Sequence, residues 1–317
     1  MSLTAEDFAL RRTGLTATDM AVLSGTSPYG RTPHDVYLDK LGLTEPTPQT
    51  TAMSVGHRLE PVALAMLAEE RGFTIAPGKT ERNPIMTLVI ASPDGFVLDG
   101  PKGPCVAVAE AKAVGLHMAR RWGESMDPNA IPDEVLVQVT WQCIAKRVSV
   151  AHVVALLGTE VRFYDVPKSD ELAGALLETA DGWWRRHVVR QIPPAVDGSD
   201  GSARMVQTMF RKAKRGVVPA PAEADGIVRE YLAAKAALSE SEAAARAAKT
   251  RLQALIGDAE GLESSEWIAT WRERPGSPDW KQLAEKLGAT PALVEEYRRA
   301  GPRVLSVRQK GTQGKAA

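Results

Sequence analysis

Glu110 and Lys112 lie two positions apart in the run Cys105-Val106-Ala107-Val108-Ala109-Glu110-Ala111-Lys112, and Asp94 stands upstream in Ser92-Pro93-Asp94-Gly95. The run is rich in β-formers, and residues i and i+2 of a strand point to the same face. Glu110 and Lys112 therefore project together. A Pro/Gly turn from Pro101 to Pro104 separates the two segments, so a hairpin would set Asp94 beside them. Two carboxylates and an ammonium on one sheet face suit metal-assisted phosphodiester hydrolysis. The carboxylates hold a hard divalent cation, which polarises the phosphoryl oxygen and acidifies a water, and the ammonium stabilises charge. Taken alone, an ordinary Pro-Asp-Gly turn and a strand-edge ion pair account for the same residues.

The elements that must position these groups can be read along the chain. Thr4 and Asp7 form a capping-box pattern at the head of a helix that runs to Arg12. Gly14 breaks it, and Thr16-Ala17-Thr18-Asp19 opens a second helix. Thr16 or Thr18 is either an N-cap or, with free amides and Arg11 and Arg12 just upstream, part of an anion site. Ser27-Pro28-Tyr29-Gly30 reads as a turn, and a helix follows from Thr32-Pro33 to Leu41. A Pro/Thr-rich loop (44–51) leads to an amphipathic helix over 53–72 that carries Gly56-His57-Arg58-Leu59-Glu60-Pro61. Strands are expected over 73–76 and 86–92, the second delivering Asp94. His117, Arg120, Arg121 and Trp122 then form a basic, aromatic cluster. Either it grips phosphate and stacks on a base, or it is a solvated helix with a packed Trp. A helix opening at Ile131-Pro132-Asp133-Glu134 places Gln138, Trp141 and Gln142 on one face. A buried glutamine needs hydrogen-bond partners, and beside a metal it can hold the lysine or the attacking water. A hairpin around Gly158 and a helix over 169–189 close the domain.

Arg11-Arg12-Thr13-Gly14-Leu15-Thr16-Ala17-Thr18-Asp19, Ser27-Pro28-Tyr29, Gly56-His57-Arg58-Leu59-Glu60-Pro61, Trp122-Gly123 and Gln138-Val139-Thr140-Trp141-Gln142 stand in one order around the Asp94 and Glu110-x-Lys112 core. In that order they resemble the YqaJ-type, lambda exonuclease-like branch of the PD-(D/E)xK nucleases, over about residues 8 to 197. The resemblance implies an α/β, restriction-endonuclease-like core: a central mixed sheet flanked by helices, with a mainly helical C-terminal extension. It assigns Glu60, Asp94, Glu110, Lys112 and Gln138 to the active site. Asp94, Glu110 and the Ala111 carbonyl would hold Mg²⁺, with Mn²⁺ able to substitute. Arg11 and Thr18 match the residues that contact the DNA 5′-phosphate, Thr18 standing where the family commonly has Ser. Arg120 and Arg121 would line the DNA channel. His57 is left out of the site. The resemblance further implies a 5′-to-3′ exonuclease acting at double-stranded DNA ends, partnered by a single-strand annealing protein in phage-type recombination. It also implies a homo-oligomer, a trimeric ring.

Composition sets limits. Lys+Arg and Asp+Glu are equal at 39 each, so attraction for nucleic acid must come from local basic patches rather than from net charge. Two cysteines, Cys105 and Cys143, suit a reducing cytosol and cannot supply a four-cysteine iron–sulfur cluster. The N-terminus does not read as a signal peptide and no stretch reaches ~18 apolar residues. A cytoplasmic protein, in a bacterial host if phage-encoded, is therefore expected.

The expected organisation is a nuclease domain over 1–198, a linker with a basic patch (Arg211-Lys212-Ala213-Lys214-Arg215) over 199–221, and an extension over 222–317. That extension holds a long Ala-rich helix with a thin heptad seam, short strands and helices, a last strand over 304–308 and a disordered tail. Two rival readings stay open: a structure-specific or restriction-like endonuclease on the same core, and a non-catalytic DNA-binding or scaffold protein. Polarity, processivity and the extension's role are not legible in the residues.

Overall fold

The β-rich run with Glu110 and Lys112 becomes the middle strand of a five-stranded sheet in the computed structural model, which describes residues 4–44, 50–214, 216–273 and 276–297. The chain divides into two units, Met1–Phe210 and Arg211–Ala317. The first unit contains α1 (Ala5–Arg12), α2 (Ala17–Leu23), α3 (Pro33–Lys40), α4 (Thr51–Arg71), β1 (Thr74–Pro77), β2 (Glu81–Arg82), β3 (Ile90–Ala91), β4 (Gly95–Leu98) and β5 (Cys105–Val114). It continues with α5 (Leu116–Ala119), α6 (Asp133–Lys146), β6 (Val150–Leu157), β7 (Glu160–Pro167), α7 (Asp170–Trp183) and α8 (Asp200–Met209).

The sheet order is β1-β4-β5-β6-β7. All neighbours are antiparallel except β5 and β6, which run parallel and are joined by a crossover through α5 and α6. This is the expected mixed sheet flanked by helices. Alternation along β5 decides what each face receives. Ala107, Ala109 and Ala111 pack against Ala63 and Leu67 of α4, and their small side chains let that helix lie close. Val108 joins Val135, Val139 and Cys143 of α6 on the other face. Fully burying a side chain such as Leu67, which is 0% exposed, contributes about 1.5–3 kcal/mol.

Local capping fixes the helices around the site. The Thr4/Asp7 capping box is present, and a second box joins Thr16 to Asp19. Thr16 is therefore the cap, and Thr18 is left exposed in the first turn of α2. Asp19 is also paired with Lys40 at 2.6 Å and with Arg31 at 3.0 Å. Burial alone would raise its carboxyl, but these two cations hold it well below the usual range.

Three expectations are corrected. The strand expected over 86–92 shrinks to Ile90–Ala91, because Asn83 Oδ1 accepts from the amides of Ile85 and Met86, both at 2.8 Å, and folds the preceding residues into a turn. The helix over 169–189 is α-helical only to Trp183 and continues as a π-helical segment, Trp184–Val189. The first part of the expected linker over 199–221 is α8, capped by Ser199 and bound to α3 by Arg204 on Asp35 (2.9 and 2.8 Å) and by Met205 against Tyr37 and Leu38.

The second unit contains α9 (Ala224–Ile256), an antiparallel pair β8 (Gly261–Glu263) and β9 (Ile268–Thr270), and the short helices α10 (Trp280–Lys286) and α11 (Pro291–Glu296). Ile256 is the buried residue of α9. Arg215, most of the Pro/Thr-rich loop, the expected strand over 304–308 and the tail lie outside the described residues. Among the described residues no helix is long and apolar enough to cross a membrane.

Candidate active site

Asp94, Glu110, Lys112 and Gln138 meet on the α6 face of the sheet. The pairing of Gly95 with Ala109 sets Asp94 opposite Glu110 across the β4–β5 hairpin. Asp94 Oδ2 accepts from the Ala111 amide at 2.9 Å, which aims the carboxylate along the strand. Lys112 Nζ donates to Glu110 Oε1 at 2.5 Å and to Gln138 Oε1 at 2.9 Å. Gln138 Nε2 donates to the same Glu110 oxygen at 2.5 Å, and Gln142 Nε2 donates to Glu110 Oε2 at 2.7 Å.

Glu110, only 2% exposed, is therefore held at both oxygens by amides one helical turn apart on α6. Buried charge survives only when it is paired and hydrogen-bonded. The face shared by Gln138 and Gln142 is visible in their i,i+4 spacing, yet sequence reasoning chose Gln138 alone. Gln142→Leu is expected to destabilise the domain by about 1–3 kcal/mol, because it strips a donor from a buried carboxylate. Thermal denaturation checks this against Gln142→Glu, which sets a second carboxylate against Glu110 and should cost more.

The electrostatics mark the site as acidic and crowded. Burial, and next the Glu110 carboxylate, push the Asp94 carboxyl up to about 8, against the opposing pull of Lys112 and the Ala111 amide. Burial pulls the Lys112 ammonium down, but Glu110 and Asp94 outweigh it and hold it above its usual range. Glu60 on α4 lies close enough to add to the rise at Asp94, and its Oε1 is 3.8 Å from His57 Nε2. The structure thus brings Glu60 into the electrostatic range of the hairpin residues.

Two neighbouring carboxylates that share one ammonium, so that one raises the pKa of the other, are what a divalent cation neutralises. Among the described residues no cluster of three or more His, Cys, Asp or Glu forms a closed metal cage. Mg²⁺ does not require one, since it is commonly held by one or two carboxylates with water and phosphate completing its shell. Asp94 and Glu110 are two neighbouring carboxylates of that kind.

The other expected site residues fall in three places. Arg11 reaches from α1 to Ser92, its Nη1 donating to Ser92 Oγ at 3.1 Å. Burial lowers its pKa, and Arg31 lies near enough to lower it further. Arg11 and the Ser92 hydroxyl thus meet two residues before Asp94, a contact the sequence did not offer. Arg120 is exposed after α5. Arg121 forks onto Glu134, with Nη1 to Oε1 at 2.5 Å and Nη2 to Oε2 at 2.6 Å, which commits its donors. Trp122, read either as stacking on a base or as a packed indole, is 6% exposed and packs against Tyr164 in the core.

Comparison with known proteins agrees with the motifs. The model of the YqaJ-like viral recombinase domain matches residues 8–146. An alkaline exonuclease (LHK-Exo) from Laribacter hongkongensis is similar in structure, with a TM-score of 0.48 and 18% identity over 59% of this chain and 94% of that one. Its complex with dAMP gives 0.46 and 18% over 60% and 100%. A phage related exonuclease from Haemophilus somnus 129PT gives 0.42 and 9% over 58% and 99%. No curated protein matches the chain.

Proposed function

We propose that the first unit is a Mg²⁺-dependent 5′-to-3′ exonuclease that degrades one strand from the ends of double-stranded DNA. The observation that carries this reading is the set Asp94, Glu110 and Lys112 on one sheet face, with Glu110 fixed by two glutamines, inside a domain that matches a viral recombinase family. Asp94, Glu110 and the Ala111 carbonyl would hold the cation. When bound there, Mg²⁺ (or Mn²⁺) polarises the phosphoryl oxygen and acidifies the attacking water.

The chain's own groups do the rest. Lys112 presents a charged ammonium at the scissile phosphate and offsets the negative charge that grows there. Gln138 fixes the direction of that ammonium through its Oε1, and Gln142 keeps Glu110 from turning away. Glu60 completes the acidic side facing the water. Arg11, with Ser92 beside it and Thr18 exposed on α2, would take the 5′-phosphate that marks the end of the strand, its guanidinium donating to phosphate oxygens. Arg120 is free to follow the backbone. A single-strand annealing protein would receive the strand that remains, and a ring of three copies would keep the enzyme on its track.

A linear duplex with 5′-phosphates, offered beside a closed circle in Mg²⁺, tests this. Loss of the linear DNA alone is the expected result. Cutting of the circle would transfer the same site to an endonuclease, and inertness in every divalent cation would remove catalysis altogether.

A further inference from the structure

The helix α9 runs for 33 residues, of which Ile256 is the buried one, and spans roughly 50 Å at 1.5 Å per residue. Its apolar side chains nonetheless fall in one stripe. Tyr231, Leu238, Ala245 and Leu252 recur every seven residues, and Ile227 and Leu255 stand at the alternate positions of the same repeat. Ile227, Tyr231, Leu238 and Leu255 are 61%, 40%, 59% and 73% exposed. A seven-residue apolar repeat is buried by a second helix of matching repeat. Among the described residues of the second unit, the other elements are three to seven residues long, too short to cover the stripe.

The sizes along the stripe fit a second copy of α9 laid antiparallel, with the two-fold axis between Ser239 and Glu240. Tyr231 then meets the second copy's Ala248, Leu238 its Ser241, and Leu255 its Ala224. The thin places of one helix receive the bulky residues of the other. A parallel pair would set Tyr231 on Tyr231 and Ala248 on Ala248, forcing the axes apart at one layer and leaving a gap at another.

The flanking charges select the same arrangement. Lys235 borders the stripe, its Nζ lying 6.0 Å from the Tyr231 ring centre, and Glu242 follows one heptad later on the same flank. Glu230 and Arg251 occupy the other flank. In the antiparallel register Lys235 faces the second copy's Glu242, and Glu230 faces its Arg251, each pair occurring twice by symmetry. A slip of one heptad sets Lys235 against Lys249 in one direction and against its own copy in the other. Within its own helix Glu242 reaches Arg246 at 4.0 Å, with both side chains more than half exposed, a pair too loose to compete.

We propose that α9 joins two copies of this chain as an antiparallel two-stranded coiled coil, with Lys235–Glu242 and Glu230–Arg251 as the pairs that fix its register. The contact is self-complementary and independent of the nuclease reading and of any ring formed by the first unit.

The test is sedimentation velocity of the full chain at low salt over a wide range of concentration, without DNA or divalent metal. Wild type is compared with Lys235→Glu, Glu242→Lys and the double exchange. On dilution wild type should pass between two species whose masses differ by a factor of two, a ratio that holds whatever the first unit assembles. Each single reversal turns two attractions into two repulsions and should raise the dissociation constant of that step roughly tenfold. The double exchange restores opposite charges across the pair and should recover most of the loss. Both positions are exposed, so circular dichroism should show equal helix content in all four proteins. Absence of the step in wild type, or a step indifferent to all three variants, would overturn the coiled coil. A double exchange as weak as Lys235→Glu, with Glu242→Lys harmless, would also overturn it, since that is the pattern of a parallel pair.

Discussion

Lys112→Ala is expected to lower Mg²⁺-dependent degradation of a linear duplex by roughly 10²–10³-fold, the loss typical of removing one preorganised charge-stabilising donor. Lys112 Nζ touches Glu110 directly and is oriented by Gln138. Because Glu110 and Asp94 hold its pKa above the usual value, the ammonium stays charged throughout any neutral assay. The fold should survive, since Glu110 keeps the amides of Gln138 and Gln142 at its two oxygens. The effect should therefore fall on kcat with little change in DNA affinity. The measurement is single-turnover cleavage beside a binding isotherm and a melt. A variant that cleaves at nearly the wild-type rate, or one that loses affinity in step with rate, would remove Lys112 from the chemistry.

Asp94→Asn is expected to abolish activity and, without metal, to stabilise the protein at neutral and alkaline pH. An unfolded aspartate ionises near 3.8, whereas burial and Glu110 keep the folded Asp94 protonated up to about 8. The folded state thus binds this proton more tightly than the unfolded state. The group's contribution to stability is fully present below about pH 4, declines as pH rises, and levels off above about pH 8. Melts in chelator should show wild type losing ground to Asp94→Asn across that window. Added Mg²⁺ should restore wild type and leave the variant unmoved, because a ligand stabilises only the state that binds it. Parallel curves for the two proteins, with and without metal, would show that Asp94 neither carries the raised carboxyl nor meets the cation.

The core of the site was legible because it depends on short-range rules. The two-residue period of a strand sets Glu110 beside Lys112, and one hairpin brings Asp94 to them. Both relations are local. Gln138 could be picked out by its motif, but the clamp it forms with Gln142 needs α6 to cross β5 at one particular height, and no periodicity reports that height. The meeting of Arg11 with Ser92 spans 81 residues and was invisible for the same reason. Trp122 was open to two readings, a base-stacking ring or a packed indole, and its indole fills the core beside Tyr164 because burial is set by tertiary packing that the neighbouring Arg120 and Arg121 do not report. Asn83 shortened an expected strand through side-chain hydrogen bonds that hydrophobic pattern does not register. Ser199 started α8 where Gly, Asp and Ser had suggested a linker, since the same residues serve turns and caps alike.

The parallel pairing of β5 with β6 imposes an order of events on the nascent chain. The β4–β5 hairpin can close early, because antiparallel neighbours joined by a short turn form on the microsecond scale. At that stage Asp94, Glu110 and Lys112 stand together in water. Parallel strands must wait for their crossover, and contacts of longer sequence separation form more slowly. Only when α6 settles does Glu110 leave solvent, and it does so as the amides of Gln138 and Gln142 arrive on the same helix. Burial of the carboxylate and its compensation thus come from one helix, so a chain in which α6 has not docked would leave Glu110 without the two amides that hold it.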